Sequence, residues 1–211
     1  MQTIKRVFGW DDGIPDAPFY AAPWALRIDL SNGVARGQHR FLKAIDRARA
    51  VASSVFQPSR ELTVFASFHD GERRTPRAAR SFRDLAKMGF VGRFSRPEKV
   101  LLKDQEHISS FGEDLCRYWC RADVAPDLAQ MHTLLWASVA KEGDIFPKAR
   151  WLDLYLADLD RGLLLHVYDD RGMDIVGATK QALASHYLQF NEWLLEYDRP
   201  RMDAAFQSSV G

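Results

Sequence analysis

Residues Trp151–Ala178 read WLDLYLADLDRGLLLHVYDDRGMDIVGA, and this stretch decides the predicted fold. Its three apolar runs are separated by DRG and DDRG, which are turn sequences, so the pattern predicts an antiparallel meander of three strands. A first turn formed by DRG would place Leu154 opposite Tyr168 and Leu156 opposite His166. We expect the remaining strands to assemble around this meander.

Strand and helix patterns follow one another in the rest of the chain. Further strands are predicted at WALRIDL (Trp24–Leu30), ELTVFASF (Glu61–Phe68) and CRYWCRADV (Cys116–Val124). Helices are predicted to begin near Arg36, near Pro126 and at Thr179, the last ending at Tyr197 and preceding a short helix after Pro200. We therefore predict one α+β domain over residues 1–211, a mainly antiparallel sheet with a C-terminal meander, covered by amphipathic helices.

The composition suits a chain that folds around its own core. Of its 211 residues, 46% are hydrophobic, enough to bury a core without disulfides or metals. There is no apolar run of about 18 residues, which a membrane span needs, and the N-terminal sequence MQTIKRVFGWDDG has no apolar stretch long enough for a secretory signal. We therefore expect a cytoplasmic protein without a membrane partner, its two cysteines reduced.

Positive charge is concentrated in the middle of the chain. The net charge is +1, but residues 73–103 sum to +8 and residues 151–211 to −5. We predict a basic lobe at residues 73–103 and a second basic face on the helix that begins near Arg36. The predicted binding surface comprises Arg36, Arg40, Lys43, Arg47, Arg73, Arg74, Arg77 and Arg80. A protein partner is favoured over nucleic acid, because the overall charge is almost neutral.

Common catalytic and metal-binding motifs are missing from the sequence. It contains no GxGxxG, GxxxxGK[ST], GxSxG or HExxH motif. Cys116 and Cys120 would need His107 and His132 to complete a zinc site, but four residues of strand span about 13 Å, too far for one ion. We expect core thiols and no cofactor. We also expect core positions, rather than a base-stacking platform, for the four tryptophans Trp24, Trp119, Trp151 and Trp193.

Two interpretations remain for the acidic residues of the YDDRG turn. In the first, Asp169, Asp170 and Asp174, together with His166, form the site of a metal-dependent hydrolase or nuclease. The predicted strand pairing opposes a larger cluster, because it places Asp153 and Asp170 on opposite faces of the sheet.

The second interpretation, which we favour, is a structural corner with no catalytic residue. Its charge network would comprise Asp169, Asp170, Arg171, Asp198 and Arg199. Arg171 would pair with Asp198 or Glu196, and Gly172 would supply a backbone conformation that other residues resist. His166 would then be an ordinary core residue.

Three stretches of the sequence resemble an uncharacterised bacterial family. They are LRIDL, RFLKAIDRARAVASSVF with ELTVFASF, and YDDRGMDIVGATKQALASHYLQFNEWLLEYDRPRMDAAF. The family is a domain of unknown function marked by a YDDRG hairpin and a terminal helix ending in Tyr-Asp-Arg. The resemblance implies no catalytic residues; it implies a toxin-neutralising (immunity) role, which is suspected for some relatives.

The leading functional hypothesis is a non-catalytic cytosolic binding protein, in its specific form an immunity protein that neutralises a bacterial toxin by direct binding. The alternative is the metal-dependent hydrolase or nuclease at the YDDRG hairpin, and the third hypothesis is a nucleic-acid-binding module.

Overall fold

The computed structural model describes residues 1–34, 37–70, 76–101, 116–143 and 145–207. Seven strands in these ranges form one sheet of order β1-β7-β6-β5-β2-β4-β3, in which every neighbouring pair is antiparallel. The strands are β1 Ala25–Asp29, β2 Leu62–Asp70, β3 Glu98–Leu101, β4 Cys116–Val124, β5 Asp153–Asp158, β6 Leu163–Val167 and β7 Gly172–Gly177. The predicted α+β class, with a C-terminal meander formed by β5, β6 and β7, is confirmed.

The predicted register of the meander is wrong by one residue. His166 was predicted to lie opposite Leu156, but the observed pairs are Tyr155 with His166 and Leu156 with Leu165. The turn between β5 and β6 holds four residues rather than three, because the strands close at Asp158 and Leu163. A backbone φ of 62° at Gly162 allows this longer turn.

Helices cover the sheet, and their bounds differ from prediction mainly at the C-terminus. They are α1 Gln2–Phe8, α2 Pro18–Ala21, α3 Gln38–Phe56, α4 Pro76–Lys87, α5 Leu128–Val139, α6 Lys180–Gln189 and α7 Arg199–Gln207. The prediction of one helix from Thr179 to Tyr197 is wrong, since α6 ends at Gln189. Beyond it the backbone turns towards the sheet edge, where Leu195 N–H donates to the carbonyl of Arg27 over 2.8 Å.

The two faces of the sheet differ in polarity. One face presents buried apolar residues from every central strand, among them Leu26, Ile175, Leu165, Leu156 and Val64, which are successive cross-strand neighbours. α3 and α5 pack together, and both contact β6. This apolar face of the sheet is therefore covered by helices and contributes to the hydrophobic core.

A row of polar side chains crosses the opposite face. Arg27, Asp174, His166 and Tyr155 are successive cross-strand neighbours from β1 to β5, so their side chains point to the same side of the sheet. The N-terminal segment lies against this row, since the backbone of Phe19 donates to Asp174. The polar row is therefore buried inside the fold, not open to solvent.

The segment predicted as a basic lobe packs on the sheet in its described part. Leu85 of α4 is fully buried, and the ring of Phe82 lies 6.1 Å from that of Phe68 on β2. β3 then pairs with β4 at the edge of the sheet. Of the helices in the described ranges, none has both the length and the apolar sequence needed to cross a bilayer.

Candidate functional site

Three distant parts of the chain meet at Arg27. Its Nε and Nη2 donate to the two carboxylate oxygens of Asp174 over 2.8 and 3.1 Å, and its Nη1 donates to Asp198 over 3.2 Å. Asp174 is 1% exposed and Asp198 6%. Arg27 lies in LRIDL, Asp174 follows YDDRG by two residues, and Asp198 is the aspartate of the final Tyr-Asp-Arg. The cluster thus joins the first and the last of the stretches that carry the family resemblance.

Aromatic rings enclose the Arg27 guanidinium. Its central carbon lies 4.6 Å from the ring centroids of both Phe19 and Tyr20, and 5.7 Å from that of Tyr168. The Tyr20 hydroxyl also donates to Asp198 over 3.0 Å. Burial acts to lower the pKa of Arg27, but the hydrogen bonds and negative charge of Asp174 outweigh it, so its pKa is raised. The cluster holds a permanent cation that fastens the N-terminal segment and the chain end to the sheet.

The YDDRG turn forms separate ion pairs instead of the predicted network. Asp169, which is 4% exposed, accepts 2.7 Å bonds from the backbone N–H and the Nε of Arg171. Asp170 accepts a 2.8 Å bond from Arg40 on α3. The predicted pairing of Arg171 with Asp198 or Glu196 is therefore wrong, because the Arg171 side chain stays beside its own turn and is 69% exposed.

The remaining member of the predicted network, Arg199, also has a local partner. It donates to Glu196 over 3.2 Å, three residues earlier, and to the backbone of Asn191. The charged residues predicted to form one network instead form several separate ion pairs. The buried ionic cluster is centred on Arg27 and not on Arg171.

Gly172 is needed for space and not for its backbone angles. Its φ does not fall in the left-handed region that favours glycine. A Cβ at this position would lie 2.0 Å from the hydroxyl oxygen of Tyr168 and 2.9 Å from the carbonyl oxygen of Ile28. The expectation of a special backbone conformation is thus wrong; the Tyr168 side chain occupies the volume a side chain at residue 172 would fill.

The carboxylates of the hydrolase alternative have separate partners. Asp169, Asp170 and Asp174 are paired with Arg171, Arg40 and Arg27 respectively. In the described part of the chain, no three His, Cys, Asp or Glu side chains lie close enough to share a metal ion. Asp153 bonds to Lys141. The geometry therefore gives this alternative no common centre among the described residues.

His166 is buried among the residues of the polar row. Burial lowers its pKa to about 3, and among the described residues neither ring nitrogen has a hydrogen-bond partner. Its ring lies 4.2 Å from that of Tyr155, whose hydroxyl accepts a 2.8 Å bond from Arg117. His166 is neutral near pH 7 and belongs to the buried polar row.

The residues considered for zinc do not form a described cluster either. Cys116 and Cys120 lie on β4, as predicted, and both are buried in the core. His132 lies on α5, whereas His107 is outside the described residues.

The α3 part of the predicted binding surface is only partly exposed. Lys43 is exposed, but Arg47 is buried and donates 2.6 Å bonds to the carbonyl of Asp29 and to the side chain of Asn32. Arg40 is mostly covered by its pair with Asp170. The prediction of one solvent-facing basic stripe is wrong here. Arg40 and Arg47 lie four residues before and three residues after Ala44, so they share the helix face on which Ala44 is buried. Arg36 lies outside the described residues.

The strongest concentration of exposed positive charge lies on α4 and the segment after it. We call it the α4 basic surface; it comprises the exposed residues Arg77, Arg80, Arg83, Lys87, Arg93, Arg96 and Lys99. The inner side of α4 is anchored by buried Ala78, Ser81 and Leu85. Residues 76–101 contain only two acids, Asp84 and Glu98. Arg73 and Arg74, also predicted here, lie outside the described residues.

An exposed tryptophan adjoins this surface, which corrects its predicted core position. Trp151 is 43% exposed. The guanidinium carbon of Arg77 lies 4.9 Å from its ring centroid, and that of Arg150 5.4 Å. Sequence reasoning missed Trp151 as a surface residue and missed Arg27 altogether. The available signal for Arg27 was a cation within the apolar run LRIDL, matched by an anion within MDIV.

A cleft opens beside the YDDRG turn. Its volume is about 940 Å³, within the range of ligand-sized pockets. Arg40, Asp170 and Arg171 line it together with apolar Phe41 and Tyr168. Arg40 pairs with Asp170 and Arg171 with Asp169, so most of the charged groups that line the cleft are engaged within the chain.

Comparison with known proteins concerns nearly the whole chain. The family model described as a domain of unknown function (DUF3885) matches residues 2–198. No curated protein and no solved structure matches the chain. The matched range contains the Arg27 cluster, the YDDRG turn and the described part of the α4 basic surface.

Proposed function

We propose, for a chain that belongs to the DUF3885 family, a domain of unknown function, that it is a non-catalytic cytosolic binding protein whose α4 basic surface receives an acidic protein partner. In the specific form implied by the family resemblance, the partner is a bacterial toxin, which the protein neutralises by direct binding.

One observation carries this proposal: all seven Lys and Arg residues between 76 and 101 are exposed. One of the two acids in that range is Asp84, whose carboxylate oxygens lie 3.9 Å from a side-chain nitrogen of Arg80 and 4.0 Å from that of Lys87. Surface ion pairs at such distances contribute little to stability. The second acid, Glu98, bonds to the N-terminal amine at 2.8 Å. The surface therefore keeps a net positive charge that would steer an acidic partner during encounter.

The carboxylates of the YDDRG turn are paired with arginines, which favours a binding protein over a metal-dependent enzyme. Every acid of the YDDRG turn forms an ion pair with an arginine of the same chain, so binding a metal ion there would first require breaking these pairs. The α4 cations instead point outwards from a helix whose other side is buried. This arrangement leaves them available to another molecule.

The proposal is tested with two charge-reversal variants that change the net charge equally. Arg80→Glu/Arg83→Glu alters the α4 basic surface, and Arg49→Glu/Arg60→Glu alters exposed positions on and just after α3, outside both predicted basic surfaces, as the matched control. Both should unfold within about 0.5 kcal/mol of the wild type per substitution, because the positions are exposed. Thermal denaturation checks this before binding is measured.

Binding is then measured with the protein encoded beside this gene and with a random DNA duplex, at two salt concentrations. We expect the α4 variant to associate more slowly with the protein and to show a weaker salt dependence, whereas the α3 control stays close to wild type. Where expression of that neighbouring protein alone stops cell growth, as expected of a toxin, co-expression should restore growth only with variants that bind it. Equal binding by both variants would refute the proposed surface. Salt-sensitive binding to DNA alone would identify a nucleic-acid-binding module instead.

A further inference from the structure

Trp151 contacts two arginines at the border of the α4 basic surface. Arg77 comes from α4, and Arg150 precedes Trp151 in the chain. Both guanidinium groups lie within 6 Å of the ring centroid, at 4.9 and 5.4 Å, the range of a cation–π contact. All three side chains are exposed. An exposed indole in contact with two cations is a different feature from a general positive surface.

Local structure fixes the position of the ring. Ala149 and Leu152 on either side are both almost fully buried, and Leu152 N–H donates to the carbonyl of Ala149 over 3.1 Å. The backbone N–H of Trp151 donates over 3.2 Å to the hydroxyl of Ser81, which lies on the buried side of α4. The tryptophan therefore projects from a tight turn that is anchored on both sides, so little ordering is needed on binding.

The stacking geometry leaves the arginines able to bind anions. A guanidinium that lies over an aromatic ring uses its flat face for that contact, while its N–H donors lie in its plane and remain directed outwards. Those donors match a carboxylate in a bidentate arrangement. Arg77 and Arg150 thus present these donors beside an exposed apolar ring.

We propose that Trp151, Arg77 and Arg150 form the anchor of the α4 basic surface, and that they bind an acidic peptide segment of the protein partner. Carboxylates of the segment pair with the two arginines, and its aliphatic carbons pack on the exposed ring. Tryptophan and arginine are the residue types that most often dominate binding energy at interfaces. This inference rests on the proposed function, since it assigns the partner's chemistry at the same surface.

The test uses the full chain labelled with 5-fluorotryptophan and titrated with poly-L-glutamate or with oligothymidylate at the same ionic strength. The chain has six tryptophans, and the fluorine resonance lost in Trp151→Phe is assigned to Trp151. We expect poly-L-glutamate to shift that resonance. We also expect Trp151→Ala to weaken poly-L-glutamate binding about tenfold or more, whereas Trp151→Phe keeps part of it.

Arg150→Gln, which leaves the ring in place, provides a second variant should Trp151→Ala fold poorly; it should weaken binding several-fold. If Arg80→Glu/Arg83→Glu weakens binding while Trp151→Ala and Arg150→Gln do not, the anchor is wrong and the proposed function stands. If none of these changes affects binding, the proposed function fails as well. A Trp151 resonance that shifts only with oligothymidylate would overturn the acidic-peptide assignment in favour of single-stranded nucleic acid.

Discussion

Replacing Arg27 by glutamine tests whether the buried ionic cluster holds the fold together. The variant removes three hydrogen bonds, of 2.8, 3.1 and 3.2 Å, from Asp174 and Asp198. Both carboxylates are almost completely buried, so water cannot replace the lost donors. Tyr20 still donates to Asp198, and the Phe19 backbone still donates to Asp174. Two negative charges nevertheless remain without a cation.

The expected loss follows from that geometry. Removing one partner of a buried ion pair costs about 3–5 kcal/mol, because the other charge remains buried and uncompensated. The contacts with the Phe19 and Tyr20 rings add a smaller loss, about 0.5–1 kcal/mol each for a cation–π contact. For a chain of 211 residues, a change of this size lowers Tm by on the order of 10 °C.

Urea and thermal denaturation at neutral pH measure the effect, and a double variant isolates its cause. Arg27→Gln/Asp174→Asn should be less destabilised than the sum of its single variants, by about 0.5–3 kcal/mol, because two amides can bond to each other without a buried charge. A Tm of Arg27→Gln within about 2 °C of the wild type would refute the reasoning. Strict additivity in the double variant would show that the two side chains do not act as a pair.

Further predictions concern the turn and the polar row. Arg171→Ala should cost only about 1 kcal/mol in urea unfolding, because Asp169 keeps its bond from the residue 171 backbone; a loss as large as that of Arg27→Gln would contradict this ranking. Gly172→Ala should cost about 1–3 kcal/mol through the clash with Tyr168, and Tyr168→Phe should relieve part of that loss if the clash is its cause. Burial lowers the pKa of His166 from 6.5 to about 3, so as the pH falls below 6.5 the unfolded chain takes up a proton that the folded chain does not, and the free energy of unfolding decreases. The decrease from neutral pH to pH 4.5 should be smaller in His166→Gln than in the wild type, by on the order of 2–3 kcal/mol; equal decreases in the two proteins would show that His166 is not the titrating group.

The candidate sites were less predictable than the fold, and particular residues show why. Cys116 and Cys120 were placed on one strand because alternation in CRYWCRADV is a local property. Arg47 was assigned to the solvent because charged residues usually avoid the core, yet it is buried by bonds to Asp29 and Asn32. Trp151 was assigned to the core because tryptophan is apolar, yet it lies on the surface in contact with two arginines. For Arg47 and Trp151, residue type alone predicted the wrong environment, because each contacts a residue of another element, Asp29 on β1 and Arg77 on α4.

By itself the sequence determined the antiparallel meander and the α+β class, because hydrophobic periodicity and turn residues act over a few neighbouring positions. Only the tertiary structure decided which arginine meets which carboxylate. Arg27 and Asp198 are 171 residues apart, while Arg171 lies much nearer to Asp198 along the chain. Charges of the same sign look alike in a sequence, and a difference of one residue in the β5–β6 turn changes which side chains are cross-strand neighbours. Pairing therefore depends on the packed geometry of the whole sheet.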